Sequence, residues 1–265
     1  MRDYFGNQIR EHEMDLQEDN PRDFMDVFLE EKRSGNPDFT EEQLIMICFD
    51  LFGAGFDTTS STLCWAVLYL SLHPEIQERC HHEVVRVLGS GGREVSLEDT
   101  QSLHYCQAVM AEVQRLGQVA VTNVMHRLTE EVNIVLNMNK CYHYALVQFT
   151  LPSGHVLPKD CLIQTNIQKF LTDPAFWDKP ELFNPDRFIN EEGKFYKPDY
   201  FVPFGHGKRF CLGEPLAKAE LFIFFVVMVR RIKFETIKDE VPDPGNYTAG
   251  FTKSPNDFCV NVIKR

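Results

Sequence analysis

The chain has 265 residues, 43% of them hydrophobic, and a net charge of −12. That length suits one domain, or part of one, with a sizeable core. The acidic balance, with no basic stripe to offset it, excludes a nucleic-acid binder. The eight cysteines form no Cys-x-x-Cys pair and read as reduced thiols in a cytosol-like compartment. Met1-Arg2-Asp3-Tyr4 is already polar, so no signal peptide is expected. The longest unbroken apolar run, Leu221 to Val229, is too short to cross a bilayer.

Taken in order, the first stretch to about Asp19 is polar and helix-compatible, and Asn20-Pro21 breaks it. A helix restarts from Pro21 to Lys32, with Phe24, Val27 and Phe28 on one face. Thr40 and Gln43 have the spacing of a capping box and open a long helix over about 41–72. At 1.5 Å per residue such a helix would span roughly 48 Å. Pro74 begins another helix, which Gly89 ends. Ser96 caps a short helix, and a further one over about 105–116 is expected to stop at Gly117. From Val119 to Gln164 the apolar pattern shortens to strand-like runs. A stretch dense in proline and aromatics follows, from Asp173 to Pro203, and then a helix from Pro215 to about Arg230.

Three constellations stand out. Phe204-Gly205-His206-Gly207-Lys208-Arg209-Phe210-Cys211-Leu212-Gly213 presents a cysteine on a glycine-rich loop just ahead of a helix N-terminus. Glycines permit sharp turns and close approach to a flat ligand, Arg209 has a fork that fits a carboxylate, and the helix dipole favours a thiolate. A lone cysteine is more often a small core residue; here its surroundings point to a ligand. Ala54-Gly55-Phe56-Asp57-Thr58-Thr59 places glycine and hydroxyls mid-helix, against helix propensity. A Thr58 hydroxyl bonding one turn back would open the ladder to water, whereas the plainer reading is helix packing through small residues. Glu112 and Arg115 lie three apart on one helix face, either as a solvated surface pair or as a partly buried one beside Met110, Val113 and Leu116.

These residues resemble the cytochrome P450 family of haem-thiolate monooxygenases. Phe204, Gly207, Arg209, Cys211 and Gly213 match its Phe-x-x-Gly-x-Arg-x-Cys-x-Gly loop over 204–213, with Ala217 also in place. The run from Ala54 to Thr59 matches its oxygen groove, and Pro185-Asp186-Arg187-Phe188 supplies the arginine that partners a Glu-x-x-Arg pair. The resemblance implies a mainly α fold with small β-sheets, of which this chain is the C-terminal half. It implies haem b bound through Cys211 as the axial iron ligand, with Phe204, Gly205, Gly213 and Ala54 around it. Arg209 and His126 would meet the propionates, although His126 reads equally well as an ordinary strand histidine. Thr58 would position the waters that carry protons to dioxygen, with Asp57 as an acid or relay. Glu112, Arg115 and Arg187 would be structural.

The activity implied is insertion of one oxygen atom from O2 into a small apolar organic substrate: a xenobiotic, a steroid or a fatty-acid-like molecule. Electrons would come from NADPH through a reductase docking near Lys208 and Lys218. The substrate wall would be built from Asp50 to Thr58, Val119 to Val124 and Tyr247 to Thr252. A full-length relative would sit on the cytosolic face of the endoplasmic reticulum membrane. The alternative is a truncated, catalytically silent haem-binding or interaction fragment. Residues 135–149 depart from the pattern and read as an insertion at a hairpin tip. The pair His81-His82 could suggest a metal, but neighbours on a helix point about 100° apart and a solvated face is the simpler reading.

Overall fold

A computed structural model describes residues 1–17, 20–89, 93–129, 132–133 and 156–265. The expected insertion at 135–149 lies outside the described residues. The fold is mainly helical, with four two-stranded antiparallel sheets among the described residues. It divides into two compact units, Met1–Asp57 and Thr58–Arg265.

The first unit holds α1 (Arg2–Asp15), α2 (Phe24–Arg33) and the start of α3 (Glu41–Leu72). Asn20-Pro21 separates the first two, and Asp23 caps α2 by accepting from the Met25 and Asp26 N–H groups. Thr40 and Gln43 form their reciprocal cap: Thr40 N donates to Gln43 Oε1 at 2.9 Å, and Gln43 N donates to Thr40 Oγ1 at 3.3 Å. Phe5, Ile9, Phe28, Leu29, Leu44, Ile45 and Cys48 make the core of this unit. On α2, Phe24 and Val27 are exposed, and Phe28 and Leu29 are inside. Asp26, held by Arg22 through two side-chain bonds of 2.7 and 2.9 Å, is itself buried.

In the second unit, α4 (Pro74–Leu88), α5 (His104–Gly117) and α7 (Glu214–Arg231) pack on one another around Trp65, Leu68, Cys80, Val84, Val109, Val113, Phe225 and Val229. Pro74 opens α4 and Gly89 ends it at φ +76°, a left-handed value that suits glycine. A 3₁₀ turn at Leu97–Gln101 carries a capping box between Ser96 and Asp99. α5 begins where Glu83 reaches across from α4, its two oxygens accepting from Tyr105 N (2.9 Å) and Cys106 N (2.8 Å). That cap comes from another helix, so no local signal in the sequence announced it.

α5 ends at Gly117, where the sequence places its stop, and Gln118 takes the left-handed position at φ 48°. The glycine is needed for a different reason: a Cβ there would lie 2.9 Å from the Trp65 ring. Close helix–helix approach, rather than turn chemistry, selects it.

Beyond α5 come β1 (His126–Arg127), β2 (Val132–Asn133), β3 (Val156–Leu157) and β4 (Leu162–Ile163). They nest, β1 with β4 and β2 with β3. α6 (Ile167–Thr172) leads into the proline-rich stretch, where Trp177, Phe188 and Phe201 form a second core with Ala108, Ala111, Ile167 and Leu171. After α7, β5 (Ile232–Thr236) pairs with β8 (Val260–Lys264), and β6 (Tyr247–Ala249) with β7 (Lys253–Pro255). Gln77, buried on α4, donates to Leu70 O (3.0 Å) and Phe234 O (2.9 Å), and accepts from Phe234 N (2.7 Å).

Candidate functional site

The cysteine loop is built by its own backbone. Gly205 and Gly207 take φ values of +78° and +79°, which a side chain would strain. Cys211 N donates to Phe204 O at 2.9 Å and closes the loop, while Gly205 N donates to Val202 O at 3.0 Å. Glu214 N donates to Cys211 O at 3.2 Å, so the cysteine stands directly ahead of α7, with Gly213 as the capping residue and Pro215 in the first turn. A Cβ on Gly213 would come 3.9 Å from the Cys211 sulfur, so the glycine leaves that side of the thiol open.

Cys211 is a free, exposed thiol, and its flanks are exposed too: Phe210, Leu212 and Leu216 are apolar, and Arg209 is basic. Thiol, apolar shelf and guanidinium together fit a flat apolar macrocycle with acidic edges and a metal that takes sulfur. Phe204 is half-buried, its ring 5.9 Å from Lys218 Nζ. Lys218 also holds Glu214 at 2.5 Å, with Lys197 3.8 Å from the same carboxylate, while Lys208 is exposed.

Thr58 opens the second unit on α3 and is half-buried; its carbonyl accepts from Thr62 Oγ1 at 2.8 Å. Such back-bonding by a hydroxyl one turn on perturbs a helix. Ala54 and Asp57 end the first unit and are exposed. His126 sits half-buried on β1 opposite Ile163.

Glu112 and Arg115 resolve the choice left by their spacing, for both are fully buried. Arg115 Nε and Nη2 donate to Glu112 at 2.6 and 2.8 Å, and its remaining donors reach Leu171 O (3.0 Å) and Leu182 O (3.1 Å). Arg187 Nε joins Glu112 at 3.3 Å, and Asn184 N at 2.8 Å. Arg187 also donates to Asp178 O and, at 2.8 Å, to Lys179 O. One carboxylate thus ties α5 to the proline-rich stretch, with every charge hydrogen-bonded as burial demands. His81 Nδ1 donates to the Val229 carbonyl at 3.1 Å, and burial lowers its pKa.

Sequence reasoning passed over Gln77, Glu83 and Lys253. Each bonds a distant backbone group, a pairing that no local pattern encodes.

A cytochrome P450 family model matches residues 1–262. The chain is 39% identical over 263 residues to cytochrome P450 2U1 of Bos taurus, covering 97% of this chain and 45% of that protein. It is 43% identical over 261 residues to cytochrome P450 2J5 of Mus musculus, with 97% and 48% covered, and 40% identical over 241 residues to the human 2J2 protein, with 89% and 44% covered. The chain therefore spans about half the length of these relatives. Among the described residues no helix is long and apolar enough to cross a membrane. With nearly the whole chain matched and the cysteine loop formed as described, the chain belongs to the cytochrome P450 family.

Proposed function

We propose that this chain carries the haem-binding half of a monooxygenase that inserts one atom of O2 into a small apolar organic substrate. The observation that carries the reading is the cysteine loop: an open thiol at a helix N-terminus, between two left-handed glycines and Gly213. Bound haem b would supply the oxygen chemistry. Cys211 would hold its iron, Phe204, Gly205 and Gly213 would shape the seat, Ala54 would leave room, and Arg209 and His126 would hold the carboxylate edges. The Thr58 hydroxyl would hold a proton for delivery, with Asp57 as acid or relay. Electrons would come from NADPH through a reductase meeting Lys208 and Lys218, on the cytosolic face of the endoplasmic reticulum. The substrate class extends to xenobiotics, steroids and fatty-acid-like molecules.

A second reading has one observation in its favour. Phe210, Leu212 and Leu216 are exposed beside the cysteine. On that reading it binds haem, or a partner, without turnover. A reduced carbon-monoxide difference spectrum of the expressed chain separates the possibilities. A thiolate-type Soret band with NADPH-dependent turnover supports the first, and a band without turnover supports the second. No band overturns both as haem-binding readings.

A further inference from the structure

The β6–β7 hairpin is fastened through Lys253. Its N–H donates to Val119 O at 2.9 Å, and its carbonyl accepts from the Trp65 indole at 3.1 Å. The neighbouring Ser254 hydroxyl meets that of Ser61 at 2.5 Å. From this anchor the hairpin runs out to an exposed tip, where Gly250 N bonds Thr252 O and Phe251 is 87% exposed.

The Lys253 side chain, by contrast, turns inward and is only 6% exposed. Its ammonium lies 4.3 Å from the Tyr247 ring centre and 5.1 Å from that of Trp65. Its hydrogen bond to Leu116 O, at the C-terminal end of α5, is long at 3.5 Å. No carboxylate among the described residues lies within ion-pair range. The groups that face it are a carbonyl from α5, an indole from α3 and the Tyr247 phenol from β6, of which only the phenol titrates.

An ammonium so placed is poorly compensated. The aromatic faces and the helix-end carbonyl attract it, but water is lost on every side and no opposite charge replaces it. We propose that Lys253 makes the β6–β7 hairpin a proton-operated gate, which loosens from α5 and α3 when the side chain is charged and seats when it is neutral. Burial lowers the pKa of the seated lysine from the ordinary 10.5, and no charged neighbour contributes. Released, the side chain is hydrated and returns to the ordinary value. The released state therefore holds more protons between the two pKa values, and seating strengthens as pH rises through that window. Because the hairpin tip belongs to the proposed substrate wall, the gate would set access to the site; that consequence rests on the proposed function, whereas the gate itself does not.

Amide hydrogen exchange over residues 247–256 of the expressed chain tests the proposal, as protection factors corrected for the intrinsic pH dependence of exchange. Wild type should gain protection as pH rises toward the ordinary lysine value of 10.5, at most about tenfold per pH unit. Lys253→Met keeps the length without the charge and should be more protected at pH 7 and flat with pH. Lys253→Arg, charged throughout, should be flat and no better protected than wild type. Tyr247→Phe removes the phenol and should keep the rise. A flat wild-type profile, or a Met variant less protected than wild type, overturns the proposal, and the wild-type profile decides even if a variant fails to fold. The carbon-monoxide spectrum, run beside it, judges the haem reading separately.

Discussion

On the proposed reading the chemistry would turn on Cys211, and its loop can be tested without disturbing the core. Cys211→Ser should abolish a thiolate-type Soret band while leaving far-ultraviolet circular dichroism unchanged, because the side chain is exposed and the loop is closed by backbone bonds. A retained band would reassign the ligand. Thr58→Ala in a reductase-supported assay should leave the band intact and send reducing equivalents to peroxide, because on the proposed reading the hydroxyl would serve proton delivery and hold no metal. Unchanged product per NADPH would reduce the helix flaw to packing. Both residues stand out in the sequence because their neighbours depart from local propensity: three glycines around one thiol, and a hydroxyl run inside a helix. Gly117 was legible as the end of α5, but the contact that requires a glycine there was not. A turn and a close contact leave the same letter, and only Trp65 in three dimensions distinguishes them. Gly117→Ala should therefore cost about 1–3 kcal/mol through overpacking, read as a lower midpoint in urea.

Among the elements, α5 has most to lose from a single change. Glu112→Ala would leave Arg115 buried without its carboxylate and strip Arg187 and Asn184 of a partner, a loss of about 3–5 kcal/mol by the measure of broken buried pairs. Denaturant unfolding should show that loss together with freed exchange in the 178–188 stretch. α2 carries a pH dependence of its own. The Arg22 guanidinium beside Asp26 holds its carboxyl down at about 2, against an ordinary 3.8. A depressed carboxylate stabilises the fold above its unfolded pKa, so this contribution should be present above pH 3.8 and lost as pH falls through about 2. Asp26→Asn should flatten that part of an acid titration followed by circular dichroism. Helix boundaries at Thr40, Pro74 and Ser96 could be read locally because caps are local. The burial of Asp26 could not, since polarity alone would place an aspartate outside. Nor could the burial of Glu112 and Arg115, which depends on carbonyls 56 and 67 residues away from Arg115.

At the scale of the whole chain, sequence patterns sufficed for the fold class, because the family motifs are spread along almost its full length. They could not say how much apolar surface stays open. Leu212, Phe251, Met14 and Phe56 are among the described residues that remain exposed. Expressed alone, the chain should bind a hydrophobic dye and scatter less light when mild detergent is added; a dye-silent monomer would contradict this. One contact limits the hazard. Phe234 turns both its N–H and its C=O away from β8, toward a side whose partner would ordinarily be another strand, and Gln77 satisfies both groups with a single amide. A side chain thus occupies the slot through which a foreign β-strand could add itself to β5. Gln77→Leu should reopen that slot, and the chain should then polymerise edge to edge at temperatures where the wild type stays dispersed.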